Sequence, residues 1–124
     1  ARNVHSQPHT HGAEAVDELQ AFGDRIIEVP GKRGLNAFVQ TELEDILAKN
    51  EIKNVVFAGA VTSICIDSTA RAAYEYGYRV FILEDCTAAR TDAEQDFFCG
   101  VVFPTYATIS DSTTTLECLG NLSV

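Results

Sequence analysis

No stretch of the 124-residue chain approaches the roughly 20 consecutive apolar residues that a helix needs to cross a bilayer, so no membrane span is expected. Basic residues are scarce, nine Lys and Arg against eighteen Asp and Glu, and they are scattered along a chain of net charge -9. A protein that grips phosphate backbones needs clustered Lys and Arg, so nucleic acid is not an expected partner and the acidity is read as serving solubility. No CxxC pair and no Cys/His cluster with zinc spacing occurs. The four cysteines, at 65, 86, 99 and 118, are therefore read as free thiols in a reducing cytoplasm, since a chain that is 46% apolar can build a core without staples. Internal repeats, low-complexity tracts and Pro/Gly/Ser linkers are also missing, and no G-x-G-x-x-G phosphate loop supports a nucleotide-binding reading. The polar start of the chain, with His5, His9 and His11, does not read as a signal peptide.

What is present is one domain, 1–124, in which short apolar runs alternate with helical patterns. Arg25 to Val29 reads as a strand, followed by a loop from Pro30 to Phe38 that carries Gly31 and Gly34. Thr41 and Glu44 form a Thr-x-x-Glu capping box for a helix with Leu43, Ile46 and Leu47 on one face and Asn50 as its stop. Asn54 to Ala58 is almost wholly apolar, as expected of a central parallel strand buried on both faces. A helix with Ile66, Ala70, Ala73 and Gly77 on its apolar face follows, then a buried strand from Arg79 to Leu83. A second capping box, Thr91 and Glu94, opens a helix carrying Ala93, Phe97 and Val101. Tyr106 to Ile109 reads as a short last strand, and a final helix holds Leu116 and Leu119. The expected fold class is α/β, with three or four parallel strands in a three-layer α-β-α, Rossmann-like arrangement.

In such sheets, ligands bind beyond the carboxyl ends of the strands, which selects Pro30 to Phe38 and Gly59 to Cys65. Along Gly59-Ala-Val-Thr-Ser-Ile-Cys-Ile66 a strand ends, the chain turns and a helix begins near Cys65. A thiol there feels the positive end of the helix dipole, which favours thiolate, and backbone N–H groups of the same turn can stabilise an oxyanion. The plainer alternative is that Cys65 is a small buried hydrophobe. Lys32 likewise reads either as a solvated loop charge or as a cation beside a reactive group.

The motifs separate these alternatives. Lys32-Arg-Gly-Leu-Asn36-Ala37-Phe38, with Thr41 and Leu43, resembles the Lys-x-x-x-(Ser/Asn)-Ala-Phe-x-x-Thr-x-Leu pattern of the isochorismatase-like cysteine hydrolases. Gly59 to Arg71 resembles their Gly-x-x-Thr-x-x-Cys-Val-x-x-Thr-Ala-Arg, and Gly77-Tyr78 and Asp85-Cys86-Thr87-Ala88 match the motifs that follow. His11-Gly12-Ala13-Glu14 and Glu18-Leu19 are similar to the segment before the lysine. The resemblance implies an isochorismatase-type fold and cleavage of a C–N bond in a small amide through a Cys65 thioester, with Lys32 beside the sulfur. It places a cis peptide before Val61, with the N–H groups of Val61 and Cys65 as the oxyanion hole, and puts Asn36, Phe38 and Thr62 at the substrate. For Phe38 the alternative is core packing. Asp85 and Cys86 are expected to hold the active-site loop or the core, and Cys99 and Cys118 to be core.

The resemblance further implies a homo-oligomer, dimer or tetramer, located in the cytoplasm, with no organic cofactor. The presence of cysteine argues against isochorismate as substrate. Nicotinamidase-like members bind a metal near the segment of His5, His9 and His11, but their spacing here fits no standard site and none is expected. The family's first strand ends in a catalytic Asp, and no such strand is present. Asp17 and Asp24 are the only aspartates before Lys32 and neither matches, while Ala1 to His5 corresponds to the end of the family's second strand. The expectation is an upstream segment, with completion by another subunit as the alternative. A catalytically silent subunit with a binding or assembly role is the rival function.

Overall fold

The computed structural model describes residues 15–122. Its elements in order are α1 (Asp17–Gln20), a 3-10 turn (Gly23–Arg25), α2 (Leu43–Lys49), β1 (Asn54–Ala60), a π-helical turn (Thr62–Ile66) running directly into α3 (Asp67–Glu75), and β2 (Arg79–Ala88). After these come α4 (Asp92–Phe97), a second π-helical turn (Phe98–Val102), a 3-10 turn (Phe103–Thr105), β3 (Thr108–Ser110) and α5 (Ser112–Leu122). The three strands form one sheet in the order β1-β2-β3, parallel throughout, with Asn54 opposite Arg79 and Phe81 opposite Thr108. Parallel neighbours demand crossover connections, and helices supply them. The α/β class with a helix-flanked parallel sheet is as the sequence indicated.

The core is small and lies where β2 meets α3. Val80 and Ile82, two residues apart on one face of β2, are 3% and 0% exposed. Against them pack Ile66, Ala70 and Ala73, with Phe103 and Phe38 completing the buried cluster. Ala70 and Ala73 have no accessible surface, and their small side chains let α3 approach the sheet closely. Phe103 also meets Phe98 and Tyr106 edge-on, at 5.7 and 6.1 Å between ring centroids.

Several sequence expectations are corrected. Arg25 to Val29 is no strand: Arg25 closes the 3-10 turn, Ile26 is extended, and Ile27 is 56% exposed. Extended backbone becomes a strand only when a neighbour shares its hydrogen bonds, and no described segment pairs with it. The run from Asn54 is, among the described residues, neither central nor buried on both faces. Among the described residues β1 is an edge strand with Val56 45% exposed, and β2 is the central one. The first capping box does not form. Helix α2 begins at Leu43, whose N–H is accepted by Thr41 Oγ1 at 3.3 Å, and Glu42 at the cap position makes no side-chain bond.

The apolar residues expected on α4 do not face the core. Phe97 and Val101 are more than half exposed, and the inward residues are Glu94, Gln95, Phe98 and Cys99. Cys118 is exposed on α5 rather than core, as are Leu116 and Leu119. The second capping box forms in half: Thr91 Oγ1 accepts the Glu94 N–H at 3.1 Å, but the Glu94 carboxylate turns to Arg90.

Candidate active site

The carboxyl end of β1 sets the site. Gly59 has φ +127°, a conformation open to glycine and strained for other residues, and the β1/β2 register shifts between Phe57 and Gly59. The Ala60–Val61 peptide is cis, where the resemblance places it. Thr62 to Ile66 then form a wide helical turn whose Ile64 and Ile66 N–H groups are both accepted by the Val61 carbonyl, at 3.0 and 3.3 Å. Cys65 lies on this turn, half-buried, one residue before the buried Ile66 anchors it to the core.

The loop from Pro30 to Phe38 is bound to α3 through Thr69. This nearly buried hydroxyl accepts the Ala37 N–H at 3.0 Å and donates to the Leu35 carbonyl at 3.4 Å. Phe38, 7% exposed, pins the far end of the loop in the core and meets the Tyr76 ring at 5.1 Å. Held this way, Lys32 extends toward the turn. Its Nζ donates to the Gly34 carbonyl at 2.6 Å and lies 3.5 Å from Cys65 Sγ. Two residues 33 positions apart, on different elements, thus meet at the carboxyl end of a parallel strand. Such an arrangement can stabilise a thiolate and present it to an electrophilic carbon.

The other sequence-selected residues fall differently. Asn36 Oδ1 accepts the Phe38 N–H at 2.9 Å, a local turn that shapes the loop. Phe38 is in the core, the packing alternative. Thr62 has no accessible surface and gives its hydroxyl to Gln95 Oε1 at 2.6 Å. Asp85 accepts both the N–H and the hydroxyl of Ser112, at 2.9 and 2.5 Å, tying the carboxyl half of β2 to the start of α5. These bonds, the hydroxyl foremost, hold its carboxyl below the usual range. Cys86 is exposed, while burial pushes the half-buried Cys99 thiol up. His5, His9 and His11 lie outside the described residues, and among the described residues no three His, Cys, Asp or Glu side chains form a metal-holding group.

Sequence reasoning missed the residues around the turn. Ser63 donates its hydroxyl to Glu94, and Arg90 grips the same carboxylate at 2.9 and 3.1 Å. Arg90, then Ser63, draw the Glu94 carboxyl down to about 2. Next to the turn, Asp67 pairs with Arg71 at 2.9 Å and accepts the Tyr106 hydroxyl at 3.0 Å. The Arg71 guanidinium also lies over the Tyr106 ring, 5.5 Å from its centroid. Burial foremost, then the Asp67 carboxylate, raises the Tyr106 hydroxyl far above its ordinary range. The Asp67–Arg71 spacing of four on one helix was a readable signal; the contacts to α4 were not.

The structure is thus a parallel α/β domain with a cysteine on the turn after a strand and a lysine against its sulfur. The isochorismatase-domain family model matches residues 1–114, and the chain belongs to that family. Nicotinamidase 3 of Arabidopsis thaliana is 35% identical over 79 residues, covering 64% of this chain and 40% of its own. The ureidoacrylate amidohydrolase RutB of Yersinia enterocolitica is 38% identical over 73 residues, 58% of this chain and 30% of that protein. A cysteine hydrolase from Pseudomonas syringae shares the fold with a TM-score of 0.79 over 89% of this chain and 56% of its own, at 20% identity. The chain thus spans less than half the length of the two enzymes it matches in sequence.

Proposed function

We propose that the protein hydrolyses the C–N bond of a small amide with Cys65 as nucleophile. The thiolate attacks the carbonyl carbon, the N–H groups of Val61 and Cys65 hold the resulting oxyanion, and Lys32 steadies the negative charge at the sulfur. Collapse expels the amine with a proton and leaves a thioester, which water cleaves to the acid and the regenerated thiol. The observation that carries this reading is the 3.5 Å approach of Lys32 Nζ to Cys65 Sγ. The named activities of the nicotinamidase and ureidoacrylate amidohydrolase relatives support the amide class.

The cycle needs a base to take the thiol proton and later activate water. Among the described residues the ion pairs are Arg71–Asp67 and Arg90–Glu94, and no carboxylate pairs with Lys32. We assign the base to a carboxylate outside the described residues. The same observation favours the second reading, a silent member that binds or assembles without turnover.

Iodoacetamide labelling read by mass spectrometry decides between them. An activated Cys65 reacts at neutral pH far faster than Cys86, Cys99 and Cys118; equal, slow labelling of all four overturns the hydrolase reading.

Asn36 is proposed to contact the substrate through the loop it shapes, and Phe38 and Thr62 to support the site from behind. A homo-oligomer in the cytoplasm completes the proposal. The exposed stripe of Phe97 and Val101 on one side of α4 and its continuation supports self-association, to be read by light scattering. No described helix is long and apolar enough to cross a membrane.

A further inference from the structure

Two consecutive residues of α4 hold two consecutive residues of the nucleophile turn. Gln95 Oε1 accepts the Thr62 hydroxyl at 2.6 Å, and Glu94 accepts the Ser63 hydroxyl. Neither α4 residue is idle on its other side. Gln95 Nε2 donates to the Glu84 carbonyl at 3.1 Å and to Thr87 Oγ1 at 3.0 Å, both on β2, and faces Cys99 Sγ at 3.4 Å. Glu94 is fixed by the Arg90 guanidinium. The turn that carries Cys65 is thus tied through Gln95 to the central strand and through Glu94 to the start of α4.

A helical residue with one strand contact and outward packing would need none of this. Side-chain amides on short helices ordinarily face water, and a glutamine whose two ends bridge two elements marks a fixed position. The turn itself needs fixing. Its Ile64 and Ile66 N–H groups share one acceptor, the Val61 carbonyl, and on the hydrolase reading Cys65 Sγ must stay near Lys32. A displacement of about 1 Å between reacting groups can cost on the order of a hundredfold in rate.

We propose that Gln95, seconded by Glu94, is a positioning residue that sets the distance between Cys65 Sγ and Lys32 Nζ through Thr62 and Ser63. The inference rests on the hydrolase reading, because only an activated sulfur makes that distance matter. Neither residue touches substrate.

The test is the pH profile of Cys65 alkylation by iodoacetamide in wild type, Gln95→Leu, Glu94→Ala and Glu94→Gln, each checked for a native circular dichroism spectrum. Gln95→Leu keeps the side-chain volume and removes both ends of the bridge. Retreat of the sulfur from the Lys32 ammonium disfavours thiolate, so the half-maximal pH rises by about one unit and the rate at pH 7 falls about tenfold. Glu94→Ala moves the profile the same way, and Glu94→Gln, which keeps an acceptor for Ser63, restores it. A reactive wild-type Cys65 whose profile is unchanged in folded Gln95→Leu or Glu94→Ala overturns the positioning role alone. Slow wild-type labelling overturns the hydrolase reading and this inference with it. If Gln95→Leu does not fold, the paired Glu94 variants carry the same decision.

Discussion

At the scale of single residues, the site reduces to a sulfur, an ammonium and the groups that keep them together. Cys65→Ser replaces a good nucleophile with a poor one, and Lys32→Ala removes the charge beside it. On the hydrolase reading proposed above, each is expected to lower amide turnover by several orders of magnitude while the fold survives, measured on a panel of small amides. Near-normal turnover in either variant contradicts the assigned roles. Tyr106→Phe tests a structural neighbour: losing the bond to Asp67 should lower unfolding stability by about 1 kcal/mol, because Asp67 keeps Arg71 as a partner.

Between elements, aromatic packing and side-chain ties do different work. Phe103 links the 3-10 turn before β3 to the core with no exposed surface. Phe103→Ala is expected to destabilise by about 3–5 kcal/mol in denaturant titration, the range for deleting a buried aromatic. Of the two ties at α4, the one through Glu94 is charged and answers to acid. In the folded state the Glu94 carboxyl titrates near 2, below its ordinary 4.5. Its contribution is therefore fully present above 4.5 and is lost as pH falls through about 2. The stability difference between wild type and Glu94→Gln should accordingly be constant from pH 5 to 7 and shrink below about 4.5. A difference that grows on acidification would reverse the assignment.

On the scale of the whole molecule, one strand of the sheet is bonded on both sides among the described residues. β2 lies between β1 and β3, while β1 shows an open edge among the described residues. Amide hydrogen exchange should be slowest in the Val80 to Leu83 segment and fastest in Ile26 to Val29, which has no ladder partner among the described residues, with β1 between them. Protection of Ile26 to Val29 equal to that of β2 would mean that this segment is paired after all. The exposed edge of β1, with Val56 in the open, is also where a further strand or second chain could add.

Much of this was legible along the chain. Strands β1 and β2 and helix α3 with its buried Ile66, Ala70 and Ala73 follow from residue order, because periodicity is a local property, while the approach of Lys32 to Cys65 was implied by the family resemblance. The failures share a cause. Arg25 to Val29 has the composition of a strand but no partner among the described residues, and the outward face of α4 carries Phe97 while its inward face carries Gln95. Burial and pairing depend on what lies across space, which no window of sequence contains. Sequence alone therefore determined the family pattern and the alternation of strands and helices from Asn54 onward. Only the tertiary structure decided which of the described strands is central, that Thr69 binds the lysine loop to α3, and that a glutamine and a glutamate hold the turn that carries Cys65, because hydrogen bonds between distant segments exist only once the chain has closed on itself.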